Sequence, residues 1–238
     1  MNSLLDFAIR AQGGLDKWRK YYSVSAQLKV GGILWETKGH GKTIERVKVN
    51  ANLLEQHVSH IPGDQWHTIY TPDRIAIETG NGDVIEEMYN PRSSYAGHTL
   101  ETPWSNLQLA YFCGYAMWNY FNTPYQFMRP GFEITPLDPW TENGETWKRL
   151  SVRWPGEIHT HSKDQVVYIG PEGLIRRLDY GVEIAGNVSC AHYLSEYREV
   201  SGITLATKRV VYLKNEDNTA DKKGPVVVHI DLSAIEFN

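Results

Sequence analysis

The sequence predicts a mainly β protein: a large antiparallel sheet curled as a half-barrel around one or two central helices, with a short N-terminal helix. Three observations carry this. Roughly a dozen short segments alternate apolar and polar residues between turn-forming clusters, the pattern of half-buried strands. One stretch, 103–122, instead repeats apolar residues at three- and four-residue spacing and is apolar on most sides. Such a helix is buried on most sides, and in a β-rich chain the simplest cover is the sheet itself. Finally, 238 residues with 41% hydrophobic and 22% charged side chains suit one domain, 1–238, with a sizeable core.

The elements follow in order. Ser3 caps a first helix whose apolar face is Leu4, Leu5, Ala8 and Ile9, and Gly13-Gly14 ends it. Leu15, Trp18 and Tyr22 mark a second short turn. From Ser23 the period becomes two, with Val24, Ala26, Leu28 and Val30 on one face of a strand. Further strands are expected at 33–38, 43–49, 55–61, 65–70 and 74–78, divided by turn signals such as Pro62-Gly63-Asp64 and Gly80-Asn81-Gly82. The central helix carries Leu107, Ala110, Tyr111, Gly114, Met117, Trp118 and Phe121 on one side, and Leu109, Phe112, Tyr115 and Tyr120 on the other. Strands resume at 146–154, 165–169, 174–183, 191–198, 203–213 and 226–232, and 215–224 reads as an exposed loop.

Charge narrows the function. A net charge of −4, from 24 basic and 28 acidic residues, gives no basic face for nucleic acid. Between 62 and 147 there are 11 acidic residues against 3 arginines, which reads as a local acidic surface. Cys113 and Cys190 read as reduced, buried thiols. Asp6 breaks the apolar core that a signal peptide needs, so a cytoplasmic location is expected. The uncharged stretch 102–128 is long enough to cross a membrane, but Pro103, Asn106, Gln108, Asn119 and Pro124 interrupt it, and no span is expected.

Several residue types offer chemistry. His159-Thr160-His161 sets two imidazoles on one face of an extended segment, with His192 in a neighbouring strand and Asp179 in the strand between. Arg176 shares its alternation with Leu174, Leu178, Tyr180 and Val182, so an inward arginine is one expectation and a solvated one the other. With His159, His161 and His192 it would form a polar end to an apolar cavity, Asp179 orienting a histidine as general acid or base. A metal on the histidines is an open alternative, but the spacing is weak and no metal is assigned. Trp104, Tyr111, Tyr115, Trp118, Tyr120 and Trp66 are the candidate ligand-gripping rings, with plain core packing as the alternative. No glycine-rich phosphate loop, nucleophile elbow or paired-cysteine motif is present, so no cofactor is expected.

The segment 172–184, EGLIRRLDYGVEI, followed by 191–212, AHYLSEYREVSGITLATKRVVY, resembles the hairpin of the LolA/LolB-type lipoprotein-carrier fold. Glu172-Gly173-Leu174 stands at the short turn before one strand. Tyr197-Arg198-Glu199 with Ser201-Gly202-Ile203 stands before the next, and Ala206 replaces a commoner proline. The chain is also similar to a group of uncharacterised bacterial proteins of this length. What the resemblance implies is a hydrophobic interior cavity. The leading expectation is thus a protein that holds a hydrophobic small molecule or acyl chain. Its rivals are a cofactor-free isomerase, cyclase, dehydratase or hydrolase in the same cavity, and a partner-binding protein with little cavity.

Overall fold

The computed structural model describes residues 3–63 and 65–238; Met1, Asn2 and Asp64, the last in the expected turn at 62–64, lie outside it. Helix α1 (Ser3–Ala11) and the single turn α2 (Leu15–Trp18) precede β1 (Ser23–Gly31). After α3 (Leu34–Thr37) come β2 (Arg46–Asn52), β3 (Val58–Ile61), β4 (Trp66–Tyr70), β5 (Arg74–Thr79) and β6 (Val84–Tyr89). Helix α4 (Asn106–Asn122) then leads to β7 (Glu133–Glu142), β8 (Glu145–Arg153), β9 (Asp164–Ile169) and β10 (Ile175–Val182). The chain finishes with β11 (Val188–Val200), β12 (Ile203–Leu213) and β13 (Val228–Phe237).

All thirteen strands form one antiparallel sheet in the order β6-β5-β4-β3-β2-β1-β13-β12-β11-β10-β9-β8-β7. The first and last strands pair at its middle, with Leu28 opposite Leu232 and Val30 opposite Ile230. The sheet does not close into a barrel, because β6 and β7 remain its two edges. Inward alternation builds the core: Val24, Ala26, Leu28 and Val30 of β1 are buried, as are Val47, Val49 and Ala51 of β2.

Helix α4 fills the concave side. Ser105 and Gln108 cap it reciprocally, the Gln108 N–H donating to Ser105 Oγ (3.2 Å) and the Ser105 N–H to Gln108 Oε1 (2.9 Å). Every residue from Leu107 to Asn122 is buried. It packs tightly on the sheet at Gly114, where a Cβ would lie 2.3 Å from Tyr70 Cγ. Only glycine permits that contact.

Two local expectations fail for physical reasons. The segment 33–38 is no strand: Leu34 and Trp35 of α3 and its C-cap Lys38 are buried at helical spacing, and the Trp35 indole donates to Gly31 O at 3.0 Å. Edge strands β6 and β7 escape the reading because nearly every position is at least partly exposed, which erases the period-two signal.

Candidate functional site

An apolar space lies between α4 and the middle of the sheet. Its inner part, about 50 Å³, is walled by residues such as Leu28, Val30, Trp104, Met117, Val211 and Ile230. A wider part, about 360 Å³, lies between the first half of α4 and β2–β6, with Leu109 and Ala110 on the helix side. Both parts use Ile44, Val47, His60 and Cys113 as walls, which places them side by side. The wider part reaches the surface beside the half-buried Trp66 and the exposed Ile85.

A strap, 99–104, covers the inner part with Leu100 and Trp104. The buried Lys38 ammonium holds it by donating to the carbonyls of Thr99 (3.0 Å), Leu100 (2.6 Å) and Thr102 (3.0 Å). The Trp104 ring lies 4.6 Å from the same nitrogen.

The polar end is a chain of rings. Tyr115 OH meets His161 Nδ1 at 3.2 Å, and Tyr120 OH meets His161 Nε2 at 2.9 Å. Tyr120 OH reaches Tyr180 OH at 3.2 Å, and Tyr180 OH reaches His192 Nδ1 at 3.3 Å. Burial lowers His161 to about 3 and His60 to about 4. His192 falls well below its ordinary value through burial, with Arg209 and His161 adding to the effect. Burial also lifts the Cys113 and Cys190 thiols to about 12, which makes both poor nucleophiles at neutral pH. His159 stands apart from the chain, its Nδ1 2.9 Å from Tyr111 OH and its own value lowered by burial and by Arg92.

The structure therefore separates the expected catalytic set. His161 and His192 are linked through Tyr120 and Tyr180, whereas the His159 ring joins neither and meets Tyr111 instead. Arg176 does not enter the cavity, because a register shift between Ile175 and Arg177 turns Ile175 inward instead. Arg176 pairs with Glu145 at 3.2 Å and with Glu172. Asp179 orients no histidine. It lies on the opposite face from Leu178 and Tyr180 and takes both arms of the fully buried Arg177, at 2.6 and 2.8 Å. Burial raises its carboxyl, and the Arg177 fork opposes that rise. Glu142, at 3.0 Å from Arg177 Nη1, and the Asn218 carbonyl complete this outer cluster.

Among the expected rings, Trp104 and Tyr120 wall the inner space and Trp66 the outer one. Tyr111, Tyr115 and Trp118 are packed instead: Tyr111 against Tyr70 and Tyr95, Tyr115 against Phe112, Trp118 under the Arg129 guanidinium. The sequence reading missed Tyr180, His60 and Arg209. Arg209 carried a usable signal, since it alternates with Thr207 and Val211, both buried.

No protein-family model matches the sequence, and no curated protein does. Solved structures match over nearly the whole chain. A DUF1329 family protein from Desulfovibrio piger has a TM-score of 0.53 at 13% identity, over 99% of this chain and 92% of the other. A domain assigned as an outer membrane lipoprotein-sorting protein from Vibrio parahaemolyticus has 0.50 at 10% identity, over 96% and 93%. The fold is LolA-like. A LolA superfamily protein from Nitrosomonas europaea is also similar, at 0.47 and 8% identity over 99% and 92%. At such identities the likeness concerns the fold. It also corrects one expectation: the cytoplasmic location does not stand, because the structures matched include an outer membrane lipoprotein-sorting protein domain. Among the described residues, no helix is long and apolar enough to cross a membrane.

Proposed function

We propose that this chain, as one domain over 1–238, binds a hydrophobic small molecule or acyl chain in the space between α4 and the sheet. The carrying observation is the wall of that space, built from aliphatic and aromatic side chains and reaching the surface beside Trp66 and Ile85. Mostly apolar walls with a few polar groups at one end are the usual form of a small-molecule site. The matched lipoprotein-sorting domain is consistent with an apolar cargo.

Acid–base chemistry on an apolar substrate is the second reading, and the chain His161–Tyr120–Tyr180–His192 is what favours it. It is the weaker one. Tyrosines occupy both ring nitrogens of His161, and Asp179 and Arg176 serve the outer face.

The test uses an uncharged fluorescent probe, N-phenyl-1-naphthylamine, displaced by lauryl alcohol. Binding at one saturable site is expected. Ala110→Trp, which puts a large ring into the 360 Å³ space, should weaken it by roughly tenfold or more, about 1.4 kcal/mol, with little change in Tm. Binding untouched by Ala110→Trp would place the probe elsewhere and end this reading.

A further inference from the structure

The inner face of β12 holds a buried charge that no carboxylate among the described residues pairs with. Arg209 of β12 is 4% exposed, yet no carboxylate pairs with it among the described residues. Its Nη2 donates to the Tyr120 carbonyl at 3.1 Å, while Nε and Nη1 have no partner. Nearby, His192 Nε2 is likewise buried and unpartnered. The Tyr120 ring lies over both groups, 4.8 Å from the Arg209 guanidinium carbon and 4.7 Å from the His192 ring. A buried cation without a counter-charge is costly, and an apolar side chain of similar volume would ordinarily be at least as stable there. The contrast with Arg177, which two carboxylates neutralise on the outer face, is internal to the molecule.

Position connects this charge to the apolar space. Arg209 faces Ile230 across the β12–β13 ladder and is one same-face step from Val211, and both of those residues wall the inner space. Tyr120 is the shared wall between that space and a small void of about 10 Å³ beside Arg209. The void has room for about one water. A water there would leave the charge uncompensated.

We infer that the ligand is a fatty carboxylate, its chain in the apolar space under α4 and its carboxylate against the Arg209 guanidinium on a donor the protein leaves open, with His192 Nε2 beside it and the Tyr120 ring turned aside to admit it. The inference rests on the proposed binding function and adds the head group to it. An acyl chain with a single terminal anion satisfies both halves of the site. A guanidinium N–H donates to a carboxylate oxygen in a charge-assisted bond that also cancels the buried charge.

The experiment compares laurate with lauryl alcohol as displacers of N-phenyl-1-naphthylamine from the full chain and from two variants. Laurate is expected to bind the wild type at least roughly tenfold more tightly than the alcohol. Arg209→Met should abolish that preference while the alcohol binds as before, with Tm equal to or above that of the wild type. Arg209→Lys keeps the charge and should keep part of the preference, which covers the case of a methionine variant that does not fold. Equal affinity of laurate and alcohol in the wild type, or a preference that survives Arg209→Met, would overturn the carboxylate assignment alone. Acetate binding as tightly as laurate would overturn the fatty ligand in favour of a small anion. Failure of every apolar probe to bind would remove the binding function itself, a separate result.

Discussion

Buried histidines give this protein a specific response to acid. His60, His161 and His192 are each less than 6% exposed, and burial holds all three neutral in the fold. An unfolded histidine takes up a proton near pH 6.5. Below that value the unfolded chain binds more protons than the folded one, so stability falls as pH falls. The loss runs from about pH 6.5 down to about 4 for His60 and about 3 for His161. Each histidine contributes up to ~1.4 kcal/mol per pH unit in that window. Urea unfolding at pH 7.5, 6 and 5 should show stability level above pH 7 and steep below 6.5. His161→Gln should reduce the slope by about one proton's worth. An unchanged slope in that variant would mean His161 is protonated in the fold. Glu142 adds a lower window: Lys222, Tyr193 and Trp140 outweigh its burial and hold it at about 2, and that stabilisation is lost as pH drops from about 4.5 to about 2.

Among the elements, α4 is the decisive one, and Gly114 is where it lies tightly against Tyr70. In an exposed helix an alanine would be better than glycine by ~1 kcal/mol. Here the added methyl would meet the Tyr70 ring, whose Cγ, Cβ and Cδ1 all lie within 3 Å of the ideal Cβ position. Gly114→Ala should therefore destabilise by about 1–3 kcal/mol, the usual cost of overpacking, measured as a lower urea midpoint. A neutral result would show that α4 has slack against β4. This helix was legible in the sequence because an all-round apolar stretch has one physical solution, burial on all sides. Strands with one wet and one dry face, such as β1 and β2, were legible for the same reason. The failures have equally plain causes. In β10 the register shift before Arg177 reverses the face of Arg176, and alternation read from sequence cannot register an extra residue in the ladder. The polar end was half legible: His161 and His192 were singled out, while Tyr180, whose ring stacks on His161 at 4.2 Å, looked like one more core tyrosine.

At the scale of the whole molecule, the pairing of β1 with β13 is the seam that joins the two halves of the sheet. Every other neighbouring pair of strands is consecutive in the chain, whereas this one brings Leu28 against Leu232. Proline in the central strand removes a ladder hydrogen bond and distorts both neighbours. Leu232→Pro should accordingly leave no cooperative unfolding transition, whereas Val84→Pro, at the first residue of the edge strand β6, should fold with a modest loss. Circular dichroism melts of the two variants decide this, and equal tolerance would show that the halves stand without their seam. A mechanical consequence follows from the route of α4. The chain leaves the sheet at one edge, β6, passes through α4, and re-enters at the opposite edge, β7. The sheet is thus a bow and the 17-residue helix, ~26 Å long, part of its string. Flattening the bow would pull on the string from both ends, so the width available to a guest is set by the segments 90–105 and 123–132, and lengthening 123–132 would slacken the bow without touching the wall of the cavity.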